Sequence, residues 1–91
     1  MSIWQTMSSA PNILVVDDEP SMLRYLRTLL EVDSYQVETA SSGSDALQRL
    51  QHSPVPDLVL LDVLMPGLDG LATLEQIRQL KPRLKVIMLS C

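Results

Sequence analysis

The sequence predicts an α/β fold in which helices cover both faces of a parallel sheet. Two observations predict it: short apolar runs recur along the chain, and segments with helical periodicity lie between them. Strands that alternate with helices at this spacing are joined by right-handed crossovers, which make them parallel. The chain has 91 residues, 46% of them hydrophobic, which is enough for one such domain.

Four segments are predicted to be strands. The runs 12–16 (NILVV), 57–61 (DLVLL) and 84–89 (LKVIML) are short and mostly apolar, which is typical of interior strands buried on both faces. The segment 35–39 (YQVET) alternates between apolar and polar residues. Such alternation indicates a strand with one exposed face or a strand at the edge of the sheet.

Three helices are predicted between the strands. Pro20 suits the first turn of one helix, Ser41 or Ser42 can cap the second, and Asp69 can cap the third. Apolar residues recur every three or four positions in each: Leu23, Leu26 and Leu30, then Ala46, Leu47 and Leu50, then Leu71, Leu74, Ile77 and Leu80.

Composition and charge exclude several classes of protein. A net charge of -4 has the wrong sign for neutralising nucleic-acid phosphates, so direct DNA or RNA binding is disfavoured. The single cysteine, Cys91, can form neither an internal disulfide nor a zinc site, which favours the reducing cytoplasm. No apolar stretch has the length of a signal peptide or a membrane span. Residues 1–11 are expected to form a flexible leader and residues 12–91 the domain.

Acidic residues follow two of the predicted interior strands. Asp17 and Asp18 come directly after the first strand and Asp62 after the third, while Ser90 follows the fourth. Ligands bind at the carboxyl ends of the strands in such sheets, so these side chains are expected to converge. Clustered carboxylates repel one another, and a hard divalent cation with oxygen ligands relieves the repulsion. The sequence therefore predicts a Mg²⁺ site, in which Asp62 can become a usable nucleophile.

A simpler interpretation of the acids after strand one is helix capping, because a helix N-terminus attracts negative charge. We assign that role to Glu19 alone. Two adjacent acids plus Asp62, which follows an unbroken apolar run, exceed what capping requires. Asp57 lies at the opposite end of the same strand and is excluded from the site.

Three sequence blocks resemble the receiver domains of bacterial two-component response regulators: 13–19 (ILVVDDE), 58–70 (LVLLDVLMPGLDG) and 86–90 (VIMLS). The resemblance implies that Asp62 accepts a phosphoryl group from a phosphohistidine on a sensor kinase or phosphotransfer protein. It further implies that Asp18, Asp62 and the backbone carbonyl of Leu64 bind Mg²⁺, that Asp17 acts through a water on the metal, and that Ser90 is the switch hydroxyl.

The resemblance also implies a flavodoxin-like sheet with strand order 2-1-3-4. Members of the family continue with a further helix, a fifth strand that carries a lysine and a last helix, and this sequence is expected to lack them after Cys91. The fourth strand would then expose an unprotected apolar edge, so homodimers or strand-swapped oligomers are expected.

Two alternative functions remain at this point. One is a phosphorylation-incompetent dimerisation or scaffold fragment of such a regulator. The other is a phosphatase with an aspartate nucleophile, but those enzymes carry a second aspartate two residues later, where this chain has Leu64. A nucleotide-binding domain is disfavoured because no glycine-rich loop follows strand one.

Overall fold

Four parallel strands form one sheet in a computed structural model of the chain, which describes residues 10–65 and 70–89. The strands are β1 (Asn12–Val16), β2 (Gln36–Ala40), β3 (Leu58–Asp62) and β4 (Lys85–Leu89), and they lie side by side in the order β2-β1-β3-β4. This confirms the predicted order and the position of β2 at an edge. Asp69, Ser90 and most of the predicted leader lie outside the described residues.

Three helices follow β1, β2 and β3: α1 (Pro20–Val32), α2 (Gly43–Leu50) and α3 (Gly70–Leu80). Pro20 lies in the first turn of α1, where its missing N–H has no partner to lose. Ser42 rather than Ser41 caps α2, because its hydroxyl oxygen accepts a hydrogen bond from the Asp45 N–H at 3.1 Å. No helix among the described residues has the length and apolar character needed to cross a membrane.

The core consists of one hydrophobic cluster on each face of the sheet. On one face α2 and α3 cover β1 and β3, and the buried residues include Leu14, Val16, Leu50, Val59, Leu61 and Ile77. On the other face α1 packs its predicted stripe of Leu23, Leu26 and Leu30 against Ile13, Val15 and Val37. Every second strand residue faces the same cluster, as the period of a β-strand requires. Leu71, predicted for the apolar face of α3, is 65% exposed instead.

β1 and β3 are the interior strands of the described sheet, and β4 lies at its other edge, as the predicted order 2-1-3-4 requires, although its apolar sequence alone is typical of an interior strand. No described strand lies beyond β4, so only one of its edges is paired. Ile87 is 50% exposed, although its register partner Leu60 packs against the α1 cluster. The apolar composition of a strand such as β4 therefore does not by itself show whether both of its edges are paired.

An ion pair ties the edge strand β2 to α2. The Arg49 guanidinium donates to both carboxylate oxygens of Glu38, at 2.8 and 2.7 Å, and Asn12 donates to the same carboxylate at 3.0 Å. Arg49 also donates to the carbonyl oxygens of His52 and Pro54 in the loop after α2. The hydrogen bonds from Arg49 lower the pKa of Glu38 below its ordinary value of 4.5. This bidentate pair therefore joins β2, α2 and the following loop.

The Glu38–Arg49 pair predicts a stability loss in acid. Because the folded pKa of Glu38 is lowered, its contribution is present above pH 4.5 and disappears as the pH falls through the folded pKa. We expect Glu38→Gln to lower the free energy of unfolding at pH 7 by roughly 1 kcal/mol, since the carboxylate is more than a third exposed. Urea unfolding at pH 7 and in acid measures both effects.

Glu75→Gln on the exposed side of α3 is the matched control, and we expect it to change little at either pH. An equal loss for Glu38→Gln at both pH values would contradict the role of the ionised pair.

Candidate functional site

Three carboxylates meet at the carboxyl end of the sheet. Asp17 and Asp18 directly follow β1, and Asp62 is the last residue of β3. β1 and β3 are parallel neighbours, and their register pairs Val16 with Leu61, so Asp17 and Asp62 lie level one residue further on. One carboxylate oxygen from each of Asp17, Asp18 and Asp62 lies within 4.8 Å of the other two. The predicted convergence of these side chains is therefore present in the fold.

Asp17 is the buried member of the group, with 7% of its surface exposed. Its backbone N–H donates to the Ala40 carbonyl at the end of β2, at 3.1 Å. Its side-chain Oδ1 accepts a hydrogen bond from the Glu19 N–H at 2.9 Å. Both contacts hold the carboxylate at the junction between β1 and α1.

The electrostatics of the site show the cost of bringing these acids together. Burial raises the pKa of Asp17 above its ordinary value of 3.8, and the nearby charges of Asp62 and Asp18 raise it further. The hydrogen bond from the Glu19 N–H acts in the opposite direction but does not outweigh them. The ionised form of Asp17 is thus disfavoured at this position, as desolvation and like charges require.

Asp62 is half-buried and has a backbone donor of its own. The Leu64 N–H donates to Asp62 Oδ1 at 3.0 Å, which fixes one carboxylate oxygen within the turn after β3. The Val63 N–H between them donates to the Leu89 carbonyl at 3.1 Å, so the start of this turn is tied to β4. The Leu64 side chain is 65% exposed, so the residue contributes to the site through its backbone.

The donor set fits a hard divalent cation. All three side-chain ligands are carboxylate oxygens, the ligand type that Mg²⁺ prefers, and no histidine or cysteine of the described residues joins the cluster. Asp18 is exposed and Asp62 half-buried, so the group opens towards solvent. A cation here would also remove the repulsion that raises the pKa of Asp17.

The structure brings together most of the residues predicted for the site. Asp17, Asp18 and Asp62 form the cluster, and Leu64 is joined to Asp62 by a hydrogen bond, whereas Ser90 lies outside the described residues. Glu19 occupies the N-cap position of α1, as assigned to it, but its side chain makes no capping hydrogen bond. Its contribution is the backbone N–H that it donates to Asp17.

The two backbone donors of the site were not predicted. The N–H groups of Glu19 and Leu64 each lie two residues after the aspartate that they contact. Such side-chain to backbone contacts are common for aspartate in turns. The position of Asp17 and Asp62 at strand ends, where turns begin, could therefore have predicted these two donors. Asp57, which was excluded, accepts a hydrogen bond from the Asn12 N–H at 2.7 Å at the opposite end of the strand.

Comparison with known proteins agrees with this fold and site. The family model of the response regulator receiver domain matches residues 13–91. The chain is 45% identical over 78 residues to the alkaline phosphatase synthesis transcriptional regulatory protein PhoP of Bacillus subtilis, a match that covers 86% of this chain and 32% of that protein. It is 46% identical over 76 residues to the sensor histidine kinase GacS of Pseudomonas protegens, covering 82% of this chain and 8% of the kinase.

Among solved structures, the response regulator TrrA of Thermotoga maritima, in complex with Mg²⁺–BeF, is 41% identical to this chain. The TM-score is 0.83, and the match covers 88% of this chain and 69% of that one.

The chain therefore belongs to the family of response regulator receiver domains, the phosphorylation-controlled signalling domains of two-component systems. The fold is the flavodoxin-like α/β fold of CheY-like receivers. Receiver domains are signalling domains rather than classical enzymes; they bind Mg²⁺ at an acidic pocket and receive phosphoryl groups from histidine kinases. The chain spans about a third of the length of the transcriptional regulator PhoP. The alternative of an incompetent scaffold fragment is not favoured by these matches.

Proposed function

We propose that Asp62 of this chain accepts a phosphoryl group from a phosphohistidine of a sensor histidine kinase or phosphotransfer protein. The observation that carries the proposal is the convergence of Asp17, Asp18 and Asp62, whose oxygens lie within 4.8 Å of one another. Asp62 is the nucleophile because it ends the interior strand β3 and because its orientation is set by the Leu64 N–H.

The transfer conserves atoms and electrons at every step. A carboxylate oxygen of Asp62 forms a bond to phosphorus while the phosphorus–nitrogen bond of the phosphohistidine breaks, and the ring nitrogen leaves with the electron pair. Water then hydrolyses the acyl phosphate, which restores the Asp62 carboxylate and releases inorganic phosphate. Each chain therefore carries one phosphoryl group at a time and does not turn over external phosphate esters.

Asp18, Asp62 and the Leu64 carbonyl are proposed to hold Mg²⁺ directly, and Asp17 is proposed to act through a water bound to the metal. Bound Mg²⁺ would screen the repulsion between Asp62 and the incoming phosphoryl group and stabilise charge on the transferring oxygens. The chain itself orients the nucleophile through Leu64 and holds Asp17 in place through Glu19. Ser90 is proposed to hydrogen-bond the phosphoryl group after transfer. The single cysteine of the chain supports a cytoplasmic location for this exchange.

Phosphorylation is tested by intact mass after incubation with Mg²⁺ and acetyl phosphate. We expect the wild type to gain one phosphoryl group and Asp62→Asn to gain none, because the amide removes the nucleophilic oxygen. Omission of Mg²⁺ should greatly reduce the gain in the wild type.

Asp57→Asn is the matched control, since it neutralises an acid at the other end of the same strand. We expect it to be phosphorylated like the wild type. Equal phosphorylation of Asp62→Asn would contradict the proposal, and turnover of many phosphate monoesters per chain would favour the phosphatase instead.

We further propose that the chain self-associates through β4. The support is the unpaired outer edge of β4 in the described sheet and the exposed Ile87 on it. Sedimentation equilibrium should show association that grows with concentration and that Ile87→Lys weakens. Clean monomers of the wild type at high concentration would contradict this prediction.

A further inference from the structure

The first residue of α3 lies against the backbone that carries Asp62. Gly70 is buried, and a Cβ at its position would lie 2.3 Å from Val63 Cα and 2.6 Å from the Asp62 carbonyl oxygen. Cβ atoms essentially never approach other atoms within 3.0 Å, and here the neighbours are backbone atoms, which cannot rotate away. Only glycine allows the helix to begin at this distance from β3.

Neither side of this contact can yield easily. On the strand side, Asp62 pairs with Leu89 in the sheet and the Val63 N–H donates to the Leu89 carbonyl. On the helix side, Ile77 is fully buried in the cluster that contains Leu61, which anchors α3 two turns further along. Strain from a side chain at position 70 would therefore fall on the turn after Asp62.

We infer that Gly70 is a positioning residue for the phosphoacceptor site. Direct contact between the start of α3 and the Asp62–Val63 peptide sets the turn in which the Leu64 N–H donates to Asp62 Oδ1. That turn fixes both the Asp62 carboxylate and the position of the Leu64 carbonyl. This inference rests on the proposed function, because it names what sets the geometry of the same site.

Gly70→Ala tests the inference through two readouts that need no phosphorylation. Calorimetric titration measures its Mg²⁺ affinity, and amide hydrogen exchange of Leu64, followed by NMR without metal, measures the hydrogen bond to Asp62. We expect Mg²⁺ binding to weaken by at least about ten-fold, the usual effect of disturbing groups that orient metal ligands. Leu64 exchange should become about ten-fold faster, while the amides of β1 keep their protection.

Leu74→Ala is the matched control, because Leu74 lies one turn further along the same helix and packs against the core cluster. It should reduce stability while leaving Mg²⁺ affinity and Leu64 exchange within about two-fold of the wild type. Both variants are measured in trimethylamine N-oxide, which favours the folded state.

The possible outcomes distinguish a failure of the proposed function from a failure of the role inferred for Gly70. A wild type that does not bind Mg²⁺ overturns the proposed function and this inference with it. A wild type that binds Mg²⁺ beside a Gly70→Ala variant with the same affinity and the same Leu64 exchange overturns the role of Gly70 alone. A Gly70→Ala variant that does not fold even in the osmolyte also overturns it, because the fold rather than the site would then require glycine.

Discussion

Mg²⁺ is expected to raise the free energy of unfolding of the wild-type chain, and Asp17→Asn is expected to remove about half of that effect or more. A ligand present at 100 times its dissociation constant stabilises the folded state by about 2.7 kcal/mol. Asp17 is buried beside Asp18 and Asp62, so its negative charge contributes to the electrostatic potential that attracts the cation. If its loss weakens binding at least ten-fold, the same Mg²⁺ concentration gives less than about 1.4 kcal/mol.

Without Mg²⁺, Asp17→Asn is not expected to lower the free energy of unfolding. The folded pKa of Asp17 is raised, so its favourable contribution exists below pH 3.8 and is lost as the pH rises through the folded pKa. Asparagine carries no charge at neutral pH and keeps the Oδ1 that accepts the Glu19 N–H. Metal-free Asp17→Asn is therefore expected to be at least as stable as the wild type at pH 7.

Urea unfolding with and without Mg²⁺ measures both effects. Asp33→Asn, which changes an exposed acid at the C-terminal end of α1, should respond to Mg²⁺ like the wild type. Equal Mg²⁺ stabilisation of the wild type and Asp17→Asn would show that Asp17 does not contribute to metal binding.

Leu61→Ala is expected to cause the largest loss of stability. Leu61 is fully buried, directly precedes Asp62 and belongs to the cluster beneath α2 and α3. Removing a buried leucine side chain typically costs 2–5 kcal/mol, because transfer energy is lost and a cavity remains, against roughly 5–15 kcal/mol for a whole domain. We expect the variant to be partly unfolded at 37 °C.

Leu71→Ala is the control for this loss, since Leu71 is 65% exposed and should change stability by less than about 0.5 kcal/mol. Urea unfolding of the two variants gives the comparison. A loss of less than about 1 kcal/mol for Leu61→Ala would contradict the packing described for the main cluster.

The parallel sheet was predictable because its physical causes are local. An unbroken apolar run identified β1 with the observed bounds, and alternation identified β2 as an edge strand to within one residue. The convergence of Asp17 and Asp62 followed from the same reasoning, since the carboxyl ends of parallel neighbours share one edge of the sheet.

Other features depend on the conformation of turns and on distances between elements, which local sequence patterns do not record. Apolar composition could not show that β4 lies at an edge of the described sheet, because neighbours beyond a strand leave no local pattern. The donor from Leu64 to Asp62 depends on the turn conformation after β3. The requirement for Gly70 depends on how closely α3 approaches Val63, and the spacing of residues along the sequence does not predict that distance.

The most direct test of the central claim is to locate the phosphoryl group within the chain. Borohydride reduces an acyl phosphate to a stable alcohol, and trypsin then separates residues 50–78, which contain Asp62, from residues 1–24, which contain Asp17 and Asp18. We predict that the wild type, after incubation with Mg²⁺ and acetyl phosphate, carries the reduced residue at position 62 of the 50–78 peptide. Modification at Asp17, Asp18 or Asp57 instead would contradict the assignment of Asp62 as the phosphoacceptor.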